Sequence, residues 1–246
     1  MENTIRCKDA RGKTSLSIEI ERKYEVSKGV VLLSGGLDSA VTAYQANGEV
    51  DKLYALTFRY GQVHSKEVEC ALQLGLILGA ERHKVLDLPL DMIGGSSLVG
   101  VGDIPKEPTQ GIPSTWVPQR NAIFLSVAFA WAEVVGADKV YIGVNSVDYS
   151  GYPDCRPEFI GAVEKALNLA SKRFVEGGTG ISIETPIIHL SKKKIVELGL
   201  KLKVPFERTW SCYAGGDRPC GVCDSCRIRA RAFEECSIED PLVKGG

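Results

Sequence analysis

An α/β fold built on a doubly wound, mostly parallel sheet, with a small cysteine-rich knob near its C-terminal end, is the fold class this sequence predicts. Three observations predict it. Apolar runs of strand length alternate with segments of helical period along most of the chain, the pattern of a parallel sheet covered on both faces. The first run, Val30-Val31-Leu32-Leu33, stops at Gly35-Gly36 and is followed by helix-forming residues from Ala40 to Ala46. Strand, glycine turn and helix together present bare backbone N–H groups and a helix N-terminus to an anion. Finally, Cys212, Cys220, Cys223 and Cys226, half of the 8 cysteines, fall in one short stretch, which in a reducing compartment reads as metal ligation rather than disulfide bonding.

A chain of 246 residues with 44% hydrophobic composition suits one large domain with a small appendage. The expected divisions are a leader or arm over 1–28, an α/β domain over 29–205, and a metal-binding knob with its helix over 206–246. No run approaches the length of a membrane span, and Met1 to Arg22 is polar and charged, without the apolar centre of a signal peptide. A cytoplasmic protein without membrane association is expected. A net charge of -1 and a pI near 6.3 give no electrostatic case for gripping a nucleic-acid backbone, so a nucleotide-sized substrate is favoured over a polynucleotide.

Taken in order, Leu16 to Ile20 alternates in polarity and suits an edge strand or an ordered arm, as a flexible leader also would. After the first strand–helix unit, Lys52 to Tyr60 is nearly continuous in apolar residues, a buried parallel strand. Val68, Ala71, Leu72, Gly75, Leu76 and Gly79 recur at helical spacing, and Lys84 to Leu88 forms the next strand. The turn Tyr60-Gly61-Gln62-Val63-His64 leaves a strand's carboxyl end, where open α/β sheets bind ligands. Asp91 to Pro118 is rich in glycine and proline without periodicity, a lid over the site or a surface loop. A helix runs on through Val135, and Arg120 and Asn121 are the polar exceptions at its start; contacts to an anion or a carbonyl at a helix N-terminus explain them.

A strand over Lys139 to Val144 leads into the polar and aromatic turn Asn145 to Arg156. Aspartates there suit the donor edge of a purine-like base, and Tyr152 suits stacking on its face, although turn chemistry alone favours much of the same composition. The last strand is Ile181 to Ile187. Ser191 then caps a helix whose Lys192, Lys193 and Lys194 form a solvated face, unless Lys192 reaches a phosphate.

The commoner phosphate loop ends in Gly-Lys-Ser/Thr, and this one has no lysine. Gly12-Lys13-Thr14 is a decoy, because the glycine needed five residues earlier is Cys7; Gly100 and Gly102 begin a dinucleotide pattern that fails at Pro105. Ser34-Gly35-Gly36-Leu37-Asp38-Ser39 instead resembles the pyrophosphate loop of the N-type ATP pyrophosphatases, which bind ATP and cleave between its α and β phosphates. The hydroxyls of Ser34 and Ser39 add donors, and Asp38 suits a magnesium ion held against a polyphosphate.

The spacing Cys212-x7-Cys220-x2-Cys223-x2-Cys226 places four thiols around a single ion. Four thiolates with no open position make a structural zinc site; iron–sulfur ligation is the rival. Arg227, Arg229 and Arg231 follow on a helix as a solvated face. Cys7, Cys70 and Cys236 read as ordinary thiols, and Cys155 is set apart by its polar neighbours.

Together these blocks resemble the 7-cyano-7-deazaguanine synthase (QueC) family over about residues 29 to 240: Ser-Gly-Gly-Leu-Asp-Ser, Tyr-Gly-Gln-x-His, Val-Pro-x-Arg-Asn, Ser-Gly-Tyr-Pro-Asp-Cys-Arg and the four-cysteine knob. The resemblance implies an adenine nucleotide alpha hydrolase-like fold and ATP-dependent conversion of 7-carboxy-7-deazaguanine and ammonia to the nitrile. It also implies magnesium, one structural zinc ion on Cys212, Cys220, Cys223 and Cys226, and a homodimer. Residues Leu33, Ser34, Gly35, Gly36, Leu37, Asp38, Ser39, Ala40, Val41, Thr42 and Ala43 would then surround ATP. Asp38, Ser39, Arg120 and Lys192 would serve the chemistry, and Tyr60, Gln62, His64, Asn121, Asp148, Ser150, Tyr152, Asp154 and Arg156 would serve the deazapurine. A tRNA-modifying or amide-forming relative is the same-fold alternative, and a non-catalytic nucleotide-binding module is the alternative from another class.

Overall fold

A strand that is apolar at every position needs cover on both faces, and the run ending at Leu33 finds it at the centre of a five-stranded parallel sheet. The structure, a computed structural model, describes residues 6–8, 14–16, 26–62, 65–99, 111–146 and 151–244. Within the leader, β1 (Arg6–Lys8) and β2 (Thr14–Leu16) pair antiparallel, with Cys7 opposite Ser15. Of the extended piece expected to reach Ile20, the part beyond Leu16 lies outside the described residues.

The main chain of elements begins with β3 (Lys28–Leu32), α1 (Leu37–Asn47), β4 (Lys52–Arg59), α2 (Lys66–Ile77) and β5 (Arg82–Asp87). It continues through α3 (Arg120–Val135), β6 (Lys139–Tyr141), α4 (Pro157–Leu169), α5 (Lys172–Gly177), β7 (Ser182–Glu184) and α6 (Lys192–Lys201), and ends with α7 (Asp224–Glu235) and α8 (Pro241–Lys244). The sheet order is β5-β4-β3-β6-β7, every pair parallel. The order therefore reverses between β3 and β6, and a crevice opens at such a switch point, outside the strands' carboxyl ends.

Alternation along β3 assigns its side chains to two cores. Val30 and Leu32 pack with Leu56, Phe58, Leu125 and Val140 beneath α3, while Val31 and Leu33 pack with Ala40, Val41, Leu74 and Ile195 beneath α1, α2 and α6. Phe206 and Phe233, from the C-terminal segment, belong to the second core and meet edge to face at 5.2 Å. The cysteine knob is thus seated on the sheet's own hydrophobic core.

Three expectations shift. The apolar face of α2 is Val68, Ala71, Leu74 and Gly75; Leu76, expected on it, is 83% exposed. The predicted last two strands contract to three residues each, β6 and β7. Arg229 is not part of a solvated face: it is buried, its guanidinium bonded to both carboxylate oxygens of Asp240 at 2.7 and 2.8 Å and to the carbonyl of Phe206 at 3.0 Å. A buried guanidinium needs partners of this kind.

Candidate active site

The turn from β3 into α1 is fixed by contacts that glycine alone permits. Gly35 has φ +89°, and a Cβ there would fall 2.1 Å from the carbonyl oxygen of Glu67 in the first turn of α2. Gly143, just past β6, packs tightly, though less so, on the start of α1: a Cβ would lie 3.0 Å from the carbonyl of Asp38. The loop is therefore held at the switch point between the two strands. Its hydroxyls bond internally, Ser34 Oγ donating to Ser39 Oγ at 3.0 Å and Ser39 Oγ to the carbonyl of Gly36 at 3.0 Å.

Lys192, at the first position of α6, donates to both carboxylate oxygens of Asp38 at 2.8 and 2.7 Å. Ser191 caps that helix, accepting from the backbone N–H of Lys194. Asn145 ties the end of β6 to the same approach by donating to the carbonyls of Ile187 and Leu190. A cation carried on the helix start is thus aimed at the loop, rather than at solvent with its two lysine neighbours.

A cleft of about 560 Å³ runs from this loop across the carboxyl ends of the strands, a volume suited to a small-molecule ligand. Ser34, Gly36, Leu37, Asp38 and Ser39 line it, as do Tyr60, Gln62, Arg120, Asn121, Tyr152 and Lys192. Leu98, Pro113 and Thr115 show that the described flanks of the glycine- and proline-rich segment form part of its wall. By contrast, Ala40, Val41, Thr42 and Ala43 are fully buried within α1 and do not line the cleft. Gly35 serves through its backbone, packed against α2. His64, Asp148 and Ser150 lie outside the described residues.

Gln119 precedes α3 in the left-handed region, φ 58° and ψ 16°, a conformation costing a non-glycine residue on the order of 1–2 kcal/mol. It turns the chain so that Arg120 faces the cleft, where the guanidinium lies over the Tyr60 ring at 5.6 Å. Burial disfavours its charge, but Tyr60, Tyr152, Asp154 and Cys155 around it more than offset this and raise its pKa. Asn121, also expected to meet the substrate, is buried beside it.

Asp154, expected at the substrate, has a buried carboxylate that is absent from the cleft wall. One oxygen accepts from the backbone N–H of Asn121 at 3.1 Å and the other from Trp116 Nε1 at 3.3 Å, while the side chain of Asn121 donates to the Asp154 carbonyl at 3.1 Å. The anion that α3's N-terminus attracts is part of the protein itself. Arg156 is displaced too. It donates to the carbonyl of Pro153 at 3.2 Å and lines a separate pocket of about 320 Å³, which shares Asn145, Tyr152 and Cys155 with the main cleft.

Beyond the far wall, the ligand atoms of Cys212, Cys220, Cys223 and Cys226 all lie within 4.8 Å of one another. Zinc–sulfur bonds of about 2.3 Å in a tetrahedron require sulfurs about 3.8 Å apart, so the four fit such an ion with little movement. The backbone N–H groups of Cys220 and Cys223 donate to the sulfurs of Cys212 and Cys220 at 3.3 and 3.4 Å, the arrangement that stabilises thiolate ligands. Cys223 is pushed down to about 5 chiefly by the hydrogen bond from Cys226. Trp210 joins this knob to the loop, its backbone N–H donating to the carbonyl of Gly35 at 2.9 Å.

Glu67 also lines the cleft and was not singled out in the sequence. Its position invited no attention, since an acidic residue in a helix's first turn is explained by the helix dipole alone.

A glycine turn between strand and helix at the switch point of a parallel sheet, with a cleft and a four-cysteine cluster that could hold a metal ion beside it, defines a nucleotide-utilising α/β protein. Within that class, the chain belongs to the QueC family: a family model described as "Queuosine biosynthesis protein QueC" matches residues 28–237. A protein of Syntrophus aciditrophicus named 7-cyano-7-deazaguanine synthase is 51% identical over 221 residues, covering 87% of this chain and 96% of that one. One of the same name from Trichodesmium erythraeum is 47% identical over 222 residues, covering 88% of this chain and 100% of that one. Among solved structures, the NMN synthetase of Francisella tularensis shares 19% identity over 88% of this chain and 79% of that one, with a TM-score of 0.47.

Proposed function

We propose that this chain is an ATP-dependent 7-cyano-7-deazaguanine synthase, converting 7-carboxy-7-deazaguanine and ammonia to the nitrile through two adenylations in one cleft. The family match and the shared name of the close relatives support the reading. The observation that carries it is the continuity of the cleft from the Ser34–Ser39 loop to Arg120, Asn121 and Tyr152. A polyphosphate and a planar substrate can thus lie side by side.

A carboxylate resists ammonia until its oxygen becomes a leaving group. In the first round the substrate carboxylate oxygen attacks the α-phosphorus of ATP, and pyrophosphate departs into the loop of Ser34, Gly36 and Ser39. Ammonia then displaces AMP at the acyl carbon, giving the amide. In the second round the amide oxygen attacks a second ATP; loss of the nitrogen's protons with expulsion of AMP leaves C≡N. The protein supplies position and charge rather than a nucleophile. Lys192 offsets phosphate charge from its place on Asp38, and Arg120 holds the substrate carboxylate. Tyr60, Gln62, Asn121 and Tyr152 shape the deazapurine end, and Asp154 positions Arg120 and Asn121 from beneath. Asp38 would hold magnesium, whose contribution is to neutralise polyphosphate charge.

Zinc as the ion of the four cysteines, a cytoplasmic location and a homodimer belong to the same proposal. Among the described residues no helix is long and apolar enough to cross a membrane. The test is product analysis with ATP, magnesium, ammonium and 7-carboxy-7-deazaguanine: mass spectrometry should find AMP and the nitrile, and tight ATP binding without turnover would contradict the proposal.

A further inference from the structure

The nitrogen of this reaction reaches the cleft mostly as ammonium, a cation whose lone pair is tied up in an N–H bond. It becomes a nucleophile only when a base inside the cleft removes a proton. Among the described residues three carboxylates line the cleft: Asp38, Glu67 and Asp224. Asp38 is held by Lys192 at 2.7 Å and Asp224 by Arg227 at 2.8 Å. No ion pair with a described residue engages Glu67.

The place of Glu67 is set by the packing of α2 against the phosphate loop, where its own carbonyl limits residue 35 to glycine. Arg120 from α3, Tyr60 beyond β4 and Tyr213 from the knob line the same cleft, and their charges act on or respond to that of Glu67, as does the thiol of Cys70 on its own helix. The carboxylate thus shares one cleft with the loop that receives pyrophosphate and the arginine assigned to the substrate carboxylate. Burial pushes its carboxyl up to about 7, with Arg120 acting in the opposite direction, which places it near the pH at which a general base works best.

Building on the synthase activity proposed above, we infer that Glu67 binds ammonium in the cleft and accepts one of its protons, delivering ammonia to the acyl carbon. The proton passes from nitrogen to a carboxylate oxygen, and the electron pair of that N–H bond remains on nitrogen. Nitrogen then forms its bond to the acyl carbon as the C–O bond to AMP breaks, and AMP leaves with that bonding pair. The surplus proton on the new amide nitrogen passes to water, and Glu67 returns its own proton to solvent before the next turnover.

The test compares wild type with Glu67→Gln and Glu67→Asp in two assays. Substrate-dependent exchange of labelled pyrophosphate into ATP reports adenylation alone. Capture of the acyl group by ammonium is then set against capture by hydroxylamine, which already carries a free lone pair at neutral pH. Glu67→Gln should keep exchange within about twofold and lose about 100-fold in kcat/KM for ammonium, the usual scale of general base catalysis, while using hydroxylamine nearly as well as wild type. Its deficit should narrow as pH rises and solvent supplies free ammonia, and Glu67→Asp should recover part of the ammonium rate. Equal losses with both nucleophiles, undiminished use of ammonium, or loss of exchange together with capture would each overturn the assignment. Failure of wild type itself to exchange would instead contradict the synthase reading.

Discussion

The backbone N–H of Trp210 donates to the carbonyl oxygen of Gly35 at 2.9 Å, and the Trp210 indole donates to the carbonyl of Cys212 at 3.0 Å. One buried residue thus connects the phosphate loop to the first of the four cysteines. Removing the metal, or replacing Cys223 with serine, should loosen the loop as well as the knob. A backbone hydrogen bond is worth about 1 kcal/mol, so nucleotide affinity should fall roughly five- to tenfold, together with a lower Tm. Metal analysis with calorimetric ATP titration checks this; ATP affinity unchanged in metal-free protein would show the knob to be uncoupled from the loop.

Replacing Asp38 with alanine should abolish turnover while leaving the fold. Its pair with Lys192 is partly exposed, at 28% and 21% for the two side chains, so its loss should cost only about 1 kcal/mol. Steady-state kinetics beside a thermal melt separates the two effects. Retained activity would contradict the assignment of the loop.

Asp154 should behave as a structural residue. Replacing it with alanine leaves the indole of Trp116 and the backbone N–H of Asn121 without their buried acceptor. Each orphaned donor costs about 1–3 kcal/mol, so the urea midpoint should drop clearly, and activity should fall because Arg120 moves. A raised substrate KM at unchanged stability would restore Asp154 to the substrate.

The half-buried Glu67 carboxyl carries a further consequence for stability. Its pKa is raised, to about 7, by burial, so the folded state binds its proton more tightly than the unfolded chain does. This contribution is fully present below about pH 4, the ordinary glutamate range, and is lost as pH rises through 7. Glu67→Gln, which never ionises, should therefore gain stability relative to wild type between pH 5 and pH 8, by on the order of 2 kcal/mol. Parallel denaturant melts at the two pH values measure it, and equal differences at both would show that the carboxyl is well solvated.

The fold was largely legible because its core strands, Val30 to Leu33 and Lys52 to Tyr60, are buried on both faces and so are apolar at every position. The glycine turn after β3 and the cysteine cluster were legible because each is local, its geometry carried by consecutive or closely spaced residues. What sequence could not assign depends on which residues meet across the fold. Arg229 read as a surface charge until Asp240, eleven positions on, was found bonded to it. Asp154 read as a ligand for substrate because nothing local says that α3's N-terminus lies above it. Glu67 carried no signal at all, its significance coming from a cleft lined by many separate elements and the knob. The helices α4 and α5 follow from the parallel sheet itself, since β6 and β7 need a crossover connection.

In the proposed mechanism one cleft adenylates first a carboxylate and then an amide. Supplying substrate with both carboxylate oxygens as heavy oxygen tests it most directly, because each adenylation transfers one of them to AMP. Mass spectrometry should find two AMP molecules per nitrile, each carrying one heavy oxygen, and none in pyrophosphate. A single labelled AMP per nitrile, or label in pyrophosphate or inorganic phosphate, would contradict the account.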